Sequence, residues 1–356
     1  MLGLDISTGS TRTWFYLLPA AGEPVKIVHS IEQDVLHPLP GTTTTYTEKS
    51  ELVLTLSRYA GKRFAVLDDP DLTVISTMSG GHLSMIQSCG ITTVTASRIL
   101  QRLHTFTSQK DVESHEQAAA ILYNAVDTTW KRLCSNLHSG KSVTEAAIRD
   151  FLLDCMTGKG LITNHPPIVA AGVNTANPHY SIPPGNNNGS YITENTLVQF
   201  DLWGKFPDGM YADISWVGFT GTVCPREYTE RFELVRNARD LVVPAIRKAF
   251  SQKREITGNE LDILVRSYLS SSTNPEWIRH RTGHAIDREC HGSGVNLDSV
   301  EFPDFRPVME GSCFSVEPGI YCNRFGMRTE INVYIQNGIP VVSGLPIQNA
   351  MLLVQD

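Results

Sequence analysis

Four acids stand in two matched pairs in the second half of this 356-residue sequence. The first pair lies in Phe200-Asp201-Leu202-Trp203 and Tyr211-Ala212-Asp213-Ile214, joined by a turn around Pro207-Asp208-Gly209. The midpoint between Asp201 and Asp213 falls at Pro207, inside that turn, so a hairpin would set the two aspartates nearly opposite each other. The second pair lies in Ser315-Val316-Glu317-Pro318 and Arg328-Thr329-Glu330-Ile331, with the turn inside 322–326. Apolar and aromatic neighbours flank each acid, which marks the strands as buried. Buried like charges facing each other are costly unless a cation neutralises them. Any one of these acids alone reads as a surface charge or an ion-pair partner. Two hairpins with matched acids point instead to a site for two divalent ions.

Histidines accompany the acids. His280 and His284, in His280-Arg281-Thr282-Gly283-His284, and His291 share one short segment just before the second hairpin. A lone core histidine is usually structural; three so close together suggest one metal ligand and two substrate contacts. His179, in Asn177-Pro178-His179-Tyr180, is a weaker signal, because a loop histidine is more often simply solvated. The ligand set is hard and oxygen-rich, which favours Mn²⁺, with Co²⁺, Zn²⁺ or Fe²⁺ as alternatives.

Strands and helices must bring these groups together. Strand runs are expected at Thr196–Trp203, Met210–Phe219, Cys313–Tyr321 and Met327–Gln336. Helices are expected over Glu116–Leu137, over Ala146–Met156 behind a capping box Ser142-x-x-Glu145, and over Glu227–Phe250 with a bend near Pro244. A further helix should open at the capping box Thr257-x-x-Glu260. Residues 160–193 carry no Asp, Glu, Lys or Arg, but five prolines and six asparagines, and read as loop. The N-terminal residues read differently. Trp14–Leu18 and Val25–Ile31 form a hairpin pattern, and Phe64–Leu67 and Leu72–Ser76 are strand candidates. The boundary falls within 104–113, which divides the chain into 1–108 and 109–356.

Other chemistries drop out. His115-Glu116 begins like a zincin helix, but the fifth position is Ala119. No dinucleotide loop and no nucleophile elbow is present. The net charge of −7 and the lack of a Lys/Arg block argue against nucleic acid or an anionic membrane as partner. Met1–Leu18 lacks the pattern of a signal peptide, and no apolar stretch is long enough to span a membrane. Seven scattered cysteines with no C-x-x-C pair suit a reducing cytosol, so a cytoplasmic location is expected.

In order, Asp201…Asp213-Ile214-Ser215, His280-x-x-Gly283-His284…His291, Val316-Glu317-Pro318-Gly319-Ile320-Tyr321 and Arg328-x-Glu330 resemble the pita-bread metallopeptidases: prolidase, aminopeptidase P and methionine aminopeptidase. The resemblance covers about residues 170–345. It implies an α+β fold, with a small N-terminal α/β domain of the creatinase/prolidase kind ahead of a pita-bread catalytic domain. It places Asp201, Asp213, His284, Glu317 and Glu330 at the five metal-ligand positions, Asp213 and Glu330 bridging. It makes Glu317 the proton shuttle and puts His179, His280, His291 and Arg328 against substrate. The implied activity is hydrolysis of an Xaa-Pro bond, in dipeptides or at the N-terminus of short peptides, by a metal-bridging hydroxide in a homodimer. The alternative is a peptide-binding or creatinase-like member of the same fold. Ser215-Trp216 stands where Thr-Arg is frequent, Arg281 where glycine is usual, and Ile331 where an acid is usual. Arg281 could bind a substrate carboxylate or sit in a structural ion pair.

Overall fold

The computed structural model of the chain describes residues 10–106 and 108–354. Residues 1–9, the first half of the Met1–Leu18 stretch, lie outside the described residues. The chain forms two compact units that divide between Ser97 and Arg98, ahead of the expected 108/109 boundary. The segment between those positions is tied to the second unit: Gln101 Nε2 donates to Pro307 O at 2.7 Å and the Phe106 N–H to Gly311 O at 2.7 Å.

In the first unit β1 (Phe15–Leu17) and β2 (Val25–His29) form the expected antiparallel hairpin, and β3 (Thr42–Tyr46) runs parallel to β2. Helix α1 (Lys49–Ser57) leads to β4 (Arg63–Val66), and α2 (Gly80–Ser88) leads to β5 (Thr92–Thr95), which pairs parallel with β4. Ile27, Leu52, Leu56 and Ile86 form its core. Leu72–Ser76 is not a strand; Thr73–Ile75 makes a 3-10 turn. The cause is Asp69, whose Oδ1 accepts the N–H groups of Asp71 and Leu72, each at 3.1 Å, and so curls the backbone away from any ladder.

The division falls at the first residue of α3 (Ser97–Leu103), and α4 (Gln109–His138) follows in the second unit. Helix α4 starts seven residues before the expected Glu116, because Ser108 and Asp111 close a capping box there. Helix α5 (Glu145–Thr157) is capped by Thr144, not by Ser142. The Glu145 carboxylate turns to other donors, so the expected capping box does not form. Strands β6 (Ile168–Ala171), β7 (Leu197–Gly204) and β8 (Ala212–Phe219) build one sheet, in the order β14-β8-β7-β6 once β14 (Leu352–Leu353) joins at its edge. The strands have a period of two. Val198, Phe200, Leu202, Ala212 and Ile214 pack with α4 and α5 in one core, which leaves Gln199, Asp201, Asp213 and Ser215 on the other face.

Helices α6 (Arg226–Arg239), α7 (Val242–Ser251) and α8 (Gly258–Ser270) follow. The chain breaks between α6 and α7 at Asp240–Leu241, before Pro244, which falls in the first turn of α7 where its missing N–H costs nothing. The capping box at Thr257 and Glu260 forms as expected. The second hairpin is split in two. Strand β9 (Cys313–Val316) pairs with β12 (Ile331–Gln336), whose other side pairs with β13 (Ile339–Ser343), while β10 (Gly319–Tyr321) pairs separately with β11 (Gly326–Arg328). Phe314, Val316, Ile331 and Val333 meet α6, α7 and α8 in the second core. The fold is α+β, as expected.

One buried group joins α4 to the sheets. His115 has no exposed surface. Its Nδ1 lies 2.6 Å from Tyr211 O and its Nε2 2.7 Å from Ser343 Oγ. A carbonyl only accepts, so Nδ1 carries the proton and neutral Nε2 accepts from the serine. Burial lowers the His115 pKa below its ordinary value. Its contribution is complete above the unfolded pKa of about 6.5 and is lost as pH falls below it. Urea unfolding of wild type should therefore weaken from pH 7.5 to 5.5. His115→Gln should cost about 1–3 kcal/mol at pH 7.5 and show a shallower pH slope; equal slopes in the two proteins would exclude this role.

Candidate active site

The first hairpin pairs Asp201 with Ser215 and Trp203 with Asp213. The two aspartates are therefore diagonal neighbours on one face, not directly opposite, because the turn closes one residue later than the sequence midpoint. Beyond the end of that ladder, Lys205 exchanges both backbone hydrogen bonds with Ile162, at 3.0 and 2.8 Å. In the second hairpin Gly319 pairs with Arg328 and Val316 with Ile331. Both ladders share one register, which puts Glu317 opposite Glu330 in the gap between them, as the spacing predicts. Pro318 supplies no N–H to bridge that gap. The Glu317 N–H donates instead to Thr282 O at 2.8 Å and the Glu330 N–H to Ser215 O at 3.1 Å. Each glutamate is thus pinned to a neighbouring segment of the site.

His284 arrives on an extended segment that runs antiparallel beside β9. Its N–H donates to Ser315 Oγ at 2.9 Å, and the Ser315 N–H donates to His284 O at 2.8 Å. Gly283 permits the approach, since a Cβ there would lie 2.0 Å from Ser315 O. His284 Nε2 ends 3.5 Å from Asp213 Oδ2 and 3.4 Å from Glu317 Oε1. Ligand atoms of Asp213, His284 and Glu330 all lie within 4.8 Å of one another. Asp201 stands beside them, with Oδ2 at 2.5 Å from Arg328 Nη2.

These groups line one cavity of about 470 Å³, whose wall also includes His179, His280, Arg281, His291 and Arg328. All nine site residues expected from the sequence therefore meet at one place. Four further residues of the site were not expected. Ser215 Oγ lies 3.0 Å from Asp201 Oδ1, 2.9 Å from Glu330 Oε2 and 3.0 Å from Arg328 Nε, with one proton to share between the two acids. The Cys290 thiol donates to Asp213 Oδ2 at 3.1 Å. The Tyr321 hydroxyl joins His280 Nε2 at 2.9 Å to Arg328 Nη1 at 3.4 Å. Asn332 clamps the Asp213 backbone, its Oδ1 accepting at 2.9 Å and its Nδ2 donating at 2.6 Å. Ser215 and Tyr321 stood inside the motif runs read from the sequence, without a role attached; Cys290 and Asn332 left no trace there.

The electrostatics suit a cation. Burial, opposed by Arg328, pushes the Asp201 carboxyl up to about 7. Burial and then Asp213 and Glu317 push Glu330 well above the carboxylate range. Burial also works to raise Glu317, but His284, Arg328 and His280 hold it down to about 2. His284 is raised: burial opposes the shift, and its hydrogen bond to Asp213 and the Glu317 charge outweigh it. Protons thus collect on the crowded groups, and a divalent ion would displace them. Asp213 Oδ1 and Glu330 Oε1 are buried with no hydrogen-bond partner. An orphaned carboxylate oxygen in an oxygen-rich cluster is what a hard cation binds. The residues fit divalent metal ions. Arg281 Nη1 lies 4.0 Å from Asp298 Oδ2, a loose pairing that leaves its guanidinium at the cavity wall.

Comparisons with known proteins follow the same line. The model of Metallopeptidase family M24 matches residues 113–337, more than half of the chain. The chain is similar to an Xaa-Pro dipeptidase of Lactobacillus helveticus, 31% identical over 238 residues, covering 66% of this chain and 58% of that enzyme. It therefore spans little more than half the length of that relative. A dipeptidase PepE from Mycobacterium ulcerans superposes with a TM-score of 0.72 at 21% identity, over 96% of this chain and 86% of that one. An X-prolyl aminopeptidase from Caenorhabditis elegans, described as a cytosolic enzyme with a di-nuclear active site, superposes with a TM-score of 0.65 at 17% identity, over 94% and 55%. At these identities the two structures establish the shared fold, the pita-bread arrangement behind a smaller N-terminal domain.

Addition of Mn²⁺ at a hundredfold excess over its Kd should stabilise wild type against urea by about 2.7 kcal/mol for each site filled. Glu330→Gln should lose most of that gain. Without metal it should be no less stable than wild type, because it removes an ionisable group from a crowded cluster. An equal metal-induced gain in both proteins would remove Glu330 from the ligand set.

Proposed function

The chain belongs to metallopeptidase family M24, and on that premise we propose that it is an exopeptidase cleaving the Xaa-Pro bond of dipeptides or of short peptides at their N-terminus. The observation that carries this reading is the pair of orphaned carboxylate oxygens, on Asp213 and Glu330, at the base of a cavity walled by histidines and two arginines. Asp201, Asp213, His284, Glu317 and Glu330 would hold two divalent ions, whose chemistry would be to acidify a water and polarise the scissile carbonyl. Mn²⁺ is our proposal for the native metal, from the four carboxylates in the set.

The other steps fall to the chain's own groups. Glu317 lines the cavity with Oε1 3.4 Å from His284 Nε2, and we assign to its carboxylate the transfer of a proton to the departing nitrogen. A prolyl nitrogen is a tertiary amide and leaves only when protonated, which is why a positioned carrier is required. Burial lowers His280 to about 4, and the His284 ring, then burial, lower His291 to about 4. Both imidazoles are therefore neutral at neutral pH; the His280 proton sits on Nδ1, which donates to Arg281 O at 2.7 Å, and its Nε2 meets the Tyr321 hydroxyl. We assign His291 and His179 to the carbonyl and carboxylate ends of the substrate, and His280 to holding the Tyr321 hydroxyl beside Arg328. Arg328 orients Asp201 through the 2.5 Å contact. Prolyl substrates have no N–H at the scissile bond, so a site for them needs no acceptor there. Arg281, loosely paired to Asp298, is our candidate for the substrate carboxylate, which would favour dipeptides.

We also propose a homodimer, a cytoplasmic location and a role for residues 1–108 as the N-terminal domain of the prolidase kind. No helix among the described residues is long and apolar enough to cross a membrane.

The test is hydrolysis of Ala-Pro, Gly-Pro, Ala-Pro-Ala and Ala-Ala-Ala with Mn²⁺ present. Prolyl peptides should be cleaved and Ala-Ala-Ala spared; cleavage of the non-prolyl peptide alone would overturn the assignment. Arg281→Ala should raise KM for Ala-Pro more than for Ala-Pro-Ala, by about tenfold for a lost charge-assisted contact. An unchanged ratio would return Arg281 to a structural role.

A further inference from the structure

Glu145 is the first residue of α5 and has no exposed surface. A buried carboxylate needs compensation, and among the described residues no Lys or Arg forms an ion pair with it. Four hydrogen bonds supply it. Oε1 accepts from the Ala171 N–H at 2.7 Å and from Asn174 Nδ2 at 2.8 Å. Oε2 accepts from the Tyr180 hydroxyl at 2.7 Å and from the Ser190 N–H at 2.7 Å. Those donors use the full acceptor capacity of a carboxylate.

Every donor comes from the segment that carries His179. The backbone returns the contact: the N–H groups of Glu145 and Ala146 donate to Ser190 O at 3.0 Å and Asn188 O at 3.1 Å. These are helix N-terminal donors that have no partner inside α5. The loop packs against the side chain so closely that a Cβ on Gly189, at φ +68°, would lie 2.7 Å from Glu145 Oε2. On its other side the same loop meets the metal hairpin, where the Gly326 N–H donates to Thr175 Oγ1 at 3.0 Å. His179 and Tyr180 are consecutive. His179 faces the cavity, while the Tyr180 hydroxyl reaches Glu145.

We propose that Glu145 is a positioning residue for substrate binding: by holding Tyr180, Asn174 and both ends of the loop, it fixes where His179 enters the cavity. The activity readout of this inference rests on the exopeptidase reading; its structural readout does not.

The experiment combines Glu145→Gln and Tyr180→Phe with His179→Ala, on full-length protein loaded with Mn²⁺. Gln cannot accept at both ends, so Glu145→Gln releases part of the network, and Tyr180→Phe releases one bond. Each single variant should lower kcat/KM for Ala-Pro, by about ten- to a hundredfold for Glu145→Gln, the scale of a misplaced contact group. Bound metal should be unchanged. In the His179→Ala background neither substitution should lower kcat/KM further, because the group they position is gone. Losses that multiply in that background would overturn the proposal, since general destabilisation acts without His179. Hydrogen exchange at the Ala171 and Ser190 amides should quicken in Glu145→Gln while α4 amides keep their protection; unchanged exchange would equally overturn it. If wild type cleaves no prolyl peptide, the function assignment fails while the exchange result still decides the role of Glu145. If Glu145→Gln does not fold, the cycle of Tyr180→Phe with His179→Ala decides between the same two outcomes.

Discussion

Four carboxylates share a small volume from which water is largely excluded, and their mutual repulsion sets the terms for the structure around them. Asp201, Asp213 and Glu330 are each at most 6% exposed. Such a cluster is costly unless protons, cations or hydrogen bonds spread its charge. The chain uses all three within reach of one another. Arg328 takes Asp201, His284 stands between Asp213 and Glu317, and the single Ser215 proton is shared between Asp201 and Glu330. Two carboxylate oxygens, on Asp213 and Glu330, are left without a partner, and a divalent ion bound there would take the place of the protons that the crowded acids otherwise hold.

Repelling groups stay close only if their backbones cannot part. Side-chain amides take the place of missing ladder bonds at three points. Asn332 exchanges two bonds with Asp213. Gln199 accepts from the Arg328 N–H at 3.0 Å and donates toward Arg328 O at 3.1 Å, and Gln348 does the same for Val217 at 3.0 and 2.6 Å. An amide side chain carries one donor group and one acceptor, like a peptide unit. Each therefore ties neighbouring chain segments where no regular strand pairing runs. The acids themselves sit where the second hairpin is interrupted, and these clamps stiffen the region around the interruption.

Much of this was legible in the sequence because acids on paired strands leave an arithmetic trace. The spacing put Glu317 opposite Glu330, and the strand period put Asp201 and Asp213 on one face. The exact partner of Asp201 was not legible, because the turn closes one residue beyond the midpoint of the two acids and the spacing alone does not fix a turn to one residue. Helix ends followed capping residues where the box was real, at Thr257, and misled at Ser142, where Glu145 answers to a loop instead of to its own helix. Cys290 and Asn332 carry no spacing signal, and Ser215 and Tyr321 only their places in the motif runs. Their roles come from tertiary neighbours, so single residues with ordinary side chains reveal little until the chain is folded.

The absence of any Asp, Glu, Lys or Arg from residues 160–193 has a consequence for behaviour in different media. This segment brings His179 to the cavity, yet the carboxylate that holds it, Glu145, is buried, and mobile ions screen buried contacts weakly. Its geometry should then be indifferent to ionic strength. Arg281, Glu289 and Glu301 on the cavity wall are the charges that salt can reach. Salt would therefore act on the field at the cavity mouth through these charges, while the placement of His179 is set by buried hydrogen bonds that salt leaves alone.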